Sequence, residues 1–332
     1  MKEDSILITG GTGSFGKAFV AEILRQKPNI RRLVIFSRDE LKQYEMSKIY
    51  STNDFPGLRY FIGDIRDEKR LLNAFKGIDT VIHAAALKQV PAGEYNPSEF
   101  INTNIYGSEN VLNAATFSGV KKVIALSTDK ASSPSTLYGA TKLCSDRLFI
   151  AGNNFTGNSG IHFSLVRYGN VFGSRGSVVP LFLNQQKTGT LQVTHPDMTR
   201  FSITLKEGVE VVFKAMKMSF GGEIFVPKLP SYRILDLAKA IGPDCEIEIT
   251  GTRPGEKLHE QMISLNDGEM IFDIGNEFVI INSSVEGAVD HYKKIYGKDK
   301  IIKSFDYTSD KNKVFLTVEQ IKNLVNSEQV NM

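Results

Sequence analysis

Short apolar runs punctuate the first half of the chain at regular intervals. Ser5–Gly10 (SILITG), Arg32–Arg38 (RLVIFSR), Leu58–Asp64 (LRYFIGD), Thr80–Ala86 (TVIHAAA) and Lys122–Thr128 (KVIALST) are five of them. Each is rich in Val, Ile, Leu or Phe, the pattern of parallel strands buried on both faces. Between them lie predicted helices over Ser14–Gln26, Asp39–Tyr50, Glu68–Phe75 and Pro97–Ser118. Another helix is predicted around Tyr138–Ile150, followed by a strand over Ile161–Gly169. Strand–helix alternation of this kind predicts βαβ units and an α/β fold with a doubly wound parallel sheet.

The rhythm fades in the second half. Asn170–Pro196 reads as loop with one short helix near Leu181–Lys187. Helices are predicted over Leu205–Lys217 and Ile234–Ile241, and short strands over Glu223–Lys228 and Glu246–Gly251. The tail after about Ile263 has no readable pattern.

Composition narrows the function classes. With 332 residues the chain can bury a large core, and its net charge is only +3 with dispersed basic residues. That excludes an electrostatic nucleic-acid binder. The two cysteines, Cys144 and Cys245, lie in no CxxC or Cys/His cluster, so neither a metal nor a disulfide is expected. No apolar run approaches the roughly 20 residues of a membrane helix. The opening MKEDSILITGG carries no leader-like apolar stretch. A cytoplasmic protein without a membrane partner is the expectation.

The first candidate chemistry is a glycine-rich turn. Gly10, Gly13 and Gly16, with Thr12, Ser14 and Phe15 between them, directly follow the first strand and open a helix. Such a turn lets backbone approach a pyrophosphate, and the helix N-terminus meets the charge. The spacing is GxxGxxG rather than GxGxxG. The turn makes residues 1–169 a Rossmann-like nucleotide-binding domain, with strand or helix returns from the second half. Residues 170–332 then form mainly a smaller C-terminal substrate-binding lobe.

The end of the second strand selects the cofactor. Many NAD-binding proteins place an acid there for the ribose hydroxyls. This chain reads Ser37, Arg38, Asp39, Glu40, Leu41, Lys42. Arg38, with Lys42 one helical turn on, suits a 2′-phosphate and favours NADP. Asp64 and Ile65, after the third strand, fit either an adenine contact or a helix cap.

Tyr138 and Lys142 form a YxxxK pair, which a helix places on one face. A lysine ammonium beside the phenol favours the phenolate, a base for a hydroxyl that loses hydride from its carbon. The pair lies shortly after a strand ending in Ser127–Thr128, with Asp129 and Lys130 beyond.

TGGTGSFG, YGATK and the strand rhythm together resemble the extended short-chain dehydrogenases/reductases. Further blocks are similar to those of inverting UDP-N-acetylglucosamine 4,6-dehydratases: SRDELKQ, HAAALKQVPAGEYNP, LSTDKASSPSTLYGATKLCSD, VRYGNVFGSRGSVVPLF, GGEIFVPK and RPGEKLHE. The resemblance spans about residues 5–262. It implies internal redox dehydration of a UDP sugar, the first step of pseudaminic acid biosynthesis, with NADP recycled at each turnover. In that scheme Asp129 protonates the departing C6 hydroxyl, Lys130 takes the C5 proton, and Thr128 holds the C4 oxygen. Lys142 and an oxidised nicotinamide nearby would depress the Lys130 pKa and free a neutral amine. Arg200 and Arg253 are the expected diphosphate ligands and Glu256 a ribose ligand. Asn170 and Val178 would line the sugar or uridine pocket. Ala84 closes the fourth strand near the cofactor, and Lys88 beyond it would reach nicotinamide and sugar. His83, His195 and His259 are expected to be structural or rim residues. A homo-oligomer is expected for this class. Two enzyme alternatives share the Tyr/Lys pair, a retaining 4,6-dehydratase and a nucleotide-sugar 4-epimerase. A non-catalytic NADP sensor would have no need of it.

Overall fold

The six apolar runs form parallel strands in a computed structural model that describes residues 5–156, 159–174, 176–267, 270–303 and 305–329. They are β1 (Ser5–Thr9), β2 (Arg32–Ser37), β3 (Leu58–Ile62), β4 (Thr80–His83), β5 (Lys122–Thr128) and β6 (His162–Tyr168). Their spatial order is β6-β5-β4-β1-β2-β3. Every residue of β1 and β4 is buried, as two covered faces require. The order reverses between β1 and β4, which opens a crevice at the carboxyl ends of those strands.

The helices are α1 (Ser14–Gln26), α2 (Glu40–Ile49), α3 (Glu68–Phe75), α4 (Val90–Tyr95), α5 (Pro97–Ile101), α6 (Gly107–Phe117), α7 (Leu137–Phe155), α8 (Val178–Gln185) and α9 (Leu205–Met218). α1 packs on α9, while α3 packs on α6 and α6 on α7. Asp39 and Asp67 cap α2 and α3 by accepting from Lys42 N and Arg70 N.

The structure departs from the predicted elements in two places. The continuous helix expected over Pro97–Ser118 is split by a wide π turn at Asn102–Tyr106, and α4 precedes it unpredicted. The turn faces buried Asn104 toward the loop after β4 and toward α7. Asn104 accepts from Leu87 N (2.8 Å) and donates to Leu87 O (2.9 Å) and Thr141 Oγ1 (3.0 Å). The site loop and the YxxxK helix are thereby tied together.

The second departure is in the sheet. Glu223–Pro227 adds to β6 in parallel, and Glu277–Ile281, Met270–Asp273 and Ile301–Ile302 continue antiparallel, giving ten strands among the described residues. The unreadable tail is thus a sheet edge. A second core gathers Phe172, Val179, Phe182, Leu191, Tyr232, Leu237 and Ile321. No helix among the described residues is long and apolar enough to cross a membrane. Arg175, inside the VRYGNVFGSRGSVVPLF block, lies outside the described residues.

Candidate active site

A cleft of about 750 Å³ runs along the carboxyl ends of the strands. Gly10, Thr12, Gly13, Ser14, Phe15 and Gly16 form its floor. Gly10 has φ +66°, and a Cβ there would sit 2.9 Å from the Ala85 backbone. A Cβ on Gly16 would lie 2.5 Å from the Gly11 backbone. Gly13 N donates to Gly10 O (2.9 Å) and closes the turn, and no side chain caps α1. The N-terminus of α1 therefore keeps free donors for a ligand, and the glycine cradle fits a dinucleotide pyrophosphate.

Ser37, Arg38, Asp39 and Lys42 line the neighbouring wall. Glu40 and Leu41 do not, and Leu41 is 60% exposed. Buried Gln43 donates to Ser37 O (3.1 Å), Ser37 Oγ (3.0 Å) and Phe61 O (2.9 Å), which fixes the strand end. Lys42 Nζ is tied to Asp39 Oδ2 at 2.5 Å, and the Arg38 guanidinium stands 3.6 Å from Asp64. Asp64 and Ile65 both face the cleft, whereas Asp67 caps α3. Burial pushes the Asp64 carboxyl up, but Arg66 and Arg38 outweigh it and hold it low.

The candidate catalytic groups meet where β5 ends. Thr128, Asp129, Lys130, Tyr138 and Lys142 all line the cleft, with Ala84, Lys88, Asn170 and Arg253. Thr128 Oγ1 donates to Asp129 Oδ1 (2.9 Å), and Lys130 N donates back to Thr128 Oγ1 (3.3 Å). Lys130 Nζ donates to Asp129 Oδ1 (3.1 Å) and Asn170 Oδ1 (3.1 Å), and stands 3.2 Å from Glu260 Oε1. Asp129 is 1% exposed, and its Oδ2 has no partner. Burial raises its pKa more than Lys130 lowers it.

Two electrostatic expectations are corrected here. Lys130 was expected to be depressed by like charges. Burial does push it down, but Asp129 and Glu260 outweigh burial, so its pKa is raised and the resting lysine is an ammonium. Tyr138 was expected to be lowered by Lys142. Burial instead pushes it up to about 12, against Lys130 and a Thr128 hydrogen bond. Lys142 Nζ donates to Leu126 O (2.8 Å), and burial lowers its pKa while Asp146 opposes.

The second-half residues divide. Arg253 lines the cleft; Val178, Arg200 and Glu256 do not. Arg200 is buried and donates to Thr199 O (2.7 Å) and Leu258 O (3.1 Å), with Glu256 at 3.7 Å and Glu260 at 3.6 Å. His83 is a core residue bonded to Thr9, and burial pushes it down to about 3. His195 accepts from Asp197 N, and His259 pairs with Thr199 Oγ1.

A family model described as polysaccharide biosynthesis protein matches residues 6–282. The chain belongs to this family. A curated relative of the same length class is a UDP-N-acetylglucosamine 4,6-dehydratase (inverting) from Campylobacter jejuni subsp. jejuni serotype O:23/36. It is 49% identical over 329 residues, 97% of each chain. A UDP-glucose 4-epimerase of Rickettsia bellii (strain RML369-C) is 43% identical, over 97% of this chain and 95% of the other. The X-ray structure of Pen from Bacillus thuringiensis superposes with a TM-score of 0.87 at 36% identity, covering 98% and 99% of the two chains. The Rossmann-like α/β fold of the extended short-chain dehydrogenases/reductases is thus the fold of this chain.

One further buried carboxylate, absent from the sequence expectations, stands beside the candidate acid–base pair. Glu260, 4% exposed at its side chain, faces Lys130 across the cleft wall. It closes the RPGEKLHE block, where a glutamate among charged neighbours reads as surface. Lys257 from the same block donates to Ser132 O (2.8 Å), and burial lowers its pKa. Among the described residues, no cluster of three or more His, Cys, Asp or Glu side chains is placed to hold a metal ion.

Proposed function

We propose that the chain is an NADP-dependent hydro-lyase, an inverting UDP-N-acetylglucosamine 4,6-dehydratase. Its product would be UDP-2-acetamido-2,6-dideoxy-β-L-arabino-hex-4-ulose, the first intermediate of pseudaminic acid biosynthesis. One observation carries the reading: Asp129 and Lys130 touch at 3.1 Å inside the same cleft as Tyr138. A simple oxidoreductase or epimerase needs the tyrosine and has no task for an adjacent acid and base. The name of the Campylobacter relative supports the substrate, and Arg38 supports NADP.

The glycine turn Gly10–Gly16 with Ser37 and Arg38 would hold NADP, which when bound would supply reversible hydride chemistry between C4 and C6 with no net oxidation. Tyr138 rests as a phenol, so it must first release its own proton to solvent, a loss that the positive charge of bound oxidised NADP would favour. The phenolate then takes the C4 hydroxyl proton, and Thr128 holds that oxygen. The ketone at C4 acidifies the C5 hydrogen. Lys130 rests as an ammonium, so it must first yield a proton. Asp129 Oδ1 is the nearest carboxylate oxygen, and transfer over 3.1 Å turns the ion pair into a neutral amine and a carboxylic acid. That one shift creates base and acid together. The amine then removes the C5 proton, and the carboxylic acid protonates the C6 hydroxyl, which leaves as water. The pair returns to ammonium and carboxylate. Inversion follows when water on the face opposite Lys130 donates a proton to C5, while Tyr138 releases the C4 proton to solvent, so the proton count closes.

We also place the enzyme in the cytoplasm as a homo-oligomer. Both cysteines are unpaired, and Tyr106 and Phe117 are exposed beside the YxxxK helix. The test of the function is NMR of fresh product from UDP-N-acetylglucosamine. An L-arabino 4-keto-6-deoxy sugar is expected. A lasting D-xylo isomer would make the enzyme retaining, and a 4-epimer with its C6 hydroxyl intact would favour the activity named for the Rickettsia relative.

A further inference from the structure

We propose that Glu260 is a positioning residue of the acid–base pair: its buried carboxylate holds the Lys130 nitrogen against Asp129 and balances the charge of the site. The inference rests on the dehydratase reading and adds a residue to it.

An ammonium has three protons, and Lys130 Nζ has three oxygens around it. These are Asp129 Oδ1 at 3.1 Å, Asn170 Oδ1 at 3.1 Å and Glu260 Oε1 at 3.2 Å. Proton transfer to Asp129 spends one of those directions. The other two keep the nitrogen in place while its lone pair forms. Glu260 is the charged member of the two, and its other oxygen, Oε2, is buried without a partner. A carboxylate left half-satisfied in a buried wall is costly and needs a compensating cation. Lys130 and Arg200 are those cations.

The chain fixes Glu260 firmly. Its backbone N donates to Ser309 Oγ (2.9 Å), and Ser309 N donates to Glu260 O (2.8 Å). Ser309 Oγ bonds Thr199 Oγ1 at 2.6 Å, on the strand that carries Arg200. The following residues, Gln261–Ile263, pair antiparallel with Tyr307–Thr308. Asp129, Lys130, Arg200, Lys257, Tyr138 and Tyr232 are the ionisable groups facing this corner. Lys88 faces Lys130 from the other wall. The negative charge of Glu260 raises both Asp129 and Lys130, after burial and their mutual attraction are counted. Glu260 thus keeps a proton on the pair, so that the acid is loaded when the C4 ketone forms.

Glu260→Gln keeps an acceptor oxygen and removes the charge. C4 oxidation, which depends on Tyr138, should proceed at close to the wild-type rate. Loss of water should fall about 100-fold, within the usual range for general acid–base groups. Reduced cofactor and 4-keto sugar should therefore accumulate in a single turnover. The limb of the pH–rate profile set by the acid should move to lower pH, and Glu260→Asp should restore its position. Unchanged dehydration with an unmoved limb would overturn the proposal. So would an equal loss of oxidation and dehydration, which marks a purely structural role. A second readout uses no substrate. In ligand-free protein with isotope-labelled lysine ε-carbons, Lys130 should stay an ammonium past the ordinary midpoint of about 10.4 and titrate earlier in Glu260→Gln. Identical titration in the two proteins refutes the role of Glu260. Wild-type protein that yields no 4-keto-6-deoxy sugar refutes the dehydratase reading instead.

Discussion

Replacing Lys130 with methionine removes a charge while keeping most of the side-chain volume. The structure sets the consequence. Asp129, 1% exposed, loses its ammonium at 3.1 Å, and Glu260 loses the same ammonium at 3.2 Å. Arg200, 3.6 Å from Glu260, remains for Glu260 and leaves Asp129 as the uncompensated group. Removing one partner of a buried pair costs about 3–5 kcal/mol. Retained Arg200 puts the expected loss near the lower end, about 3 kcal/mol at pH 8. The loss should depend on pH in a defined direction. Burial already raises Asp129, and without Lys130 it rises further above its unfolded value of about 3.9. A group raised on folding contributes stability at low pH that is lost as pH climbs through its folded midpoint. The deficit of Lys130→Met should therefore be smaller near pH 5 than near pH 8. In the wild type, raised Lys130 contributes stability across that window, because its own loss begins only above the ordinary lysine range. Urea unfolding of both proteins at about pH 5 and pH 8 measures the two differences. Equal deficits at the two pH values, or a variant as stable as wild type at pH 8, would refute this account of the charge cluster.

Arg38→Ala should weaken NADP by about 10–100-fold, the worth of a charge-assisted hydrogen bond, and leave NAD within about threefold; calorimetric titration with both dinucleotides decides, and equal losses count against a 2′-phosphate contact. Gly16→Ala forces a Cβ to 2.5 Å from the Gly11 backbone, which cannot yield as a side chain would. Overpacking of about 1–3 kcal/mol should lower the melting temperature and weaken either dinucleotide at least tenfold, and normal binding would show that the turn can shift. Tyr138→Phe should cut turnover by about 10²–10⁴-fold with dinucleotide affinity preserved; substantial residual C4 oxidation would move the first base elsewhere.

The parallel strands were legible because burial on both faces makes a strand uniformly apolar. β5 was found to the residue, and α3 was bounded correctly over Glu68–Phe75. The break in the Pro97–Ser118 helix was invisible, since nothing in the local pattern reveals that Asn104 bonds to Leu87 and Thr141. The antiparallel strands Met270–Asp273 and Glu277–Ile281 were missed because an antiparallel pair in a tail breaks the strand–helix rhythm. In the cleft, glycine spacing and YxxxK identified residues whose positions are set by one neighbouring strand or helix. Glu260 escaped because its burial depends on Ser309, 49 residues away. The ammonium state of Lys130 escaped because Lys142 and an oxidised nicotinamide argued for a neutral amine, whereas the adjacent Asp129 raises its pKa most and Glu260, brought up from another part of the fold, adds to it.

The clasp between Glu260 and Ser309 also has a bearing on biosynthesis. A ribosome delivers residues in order, and N-terminal units fold as they emerge. The nucleotide cradle and the Tyr138–Lys142 helix are complete once β6 has been made. The wall that steadies Lys130 is closed only after Ser309 has appeared, 49 residues beyond Glu260. A nascent chain, or a fragment cut before that point, would therefore be able to hold a dinucleotide while its acid–base pair stays unsupported. Chemistry on the sugar would switch on only after the cradle is in place, once Ser309 has closed on Glu260 and a ketone intermediate can stay enclosed.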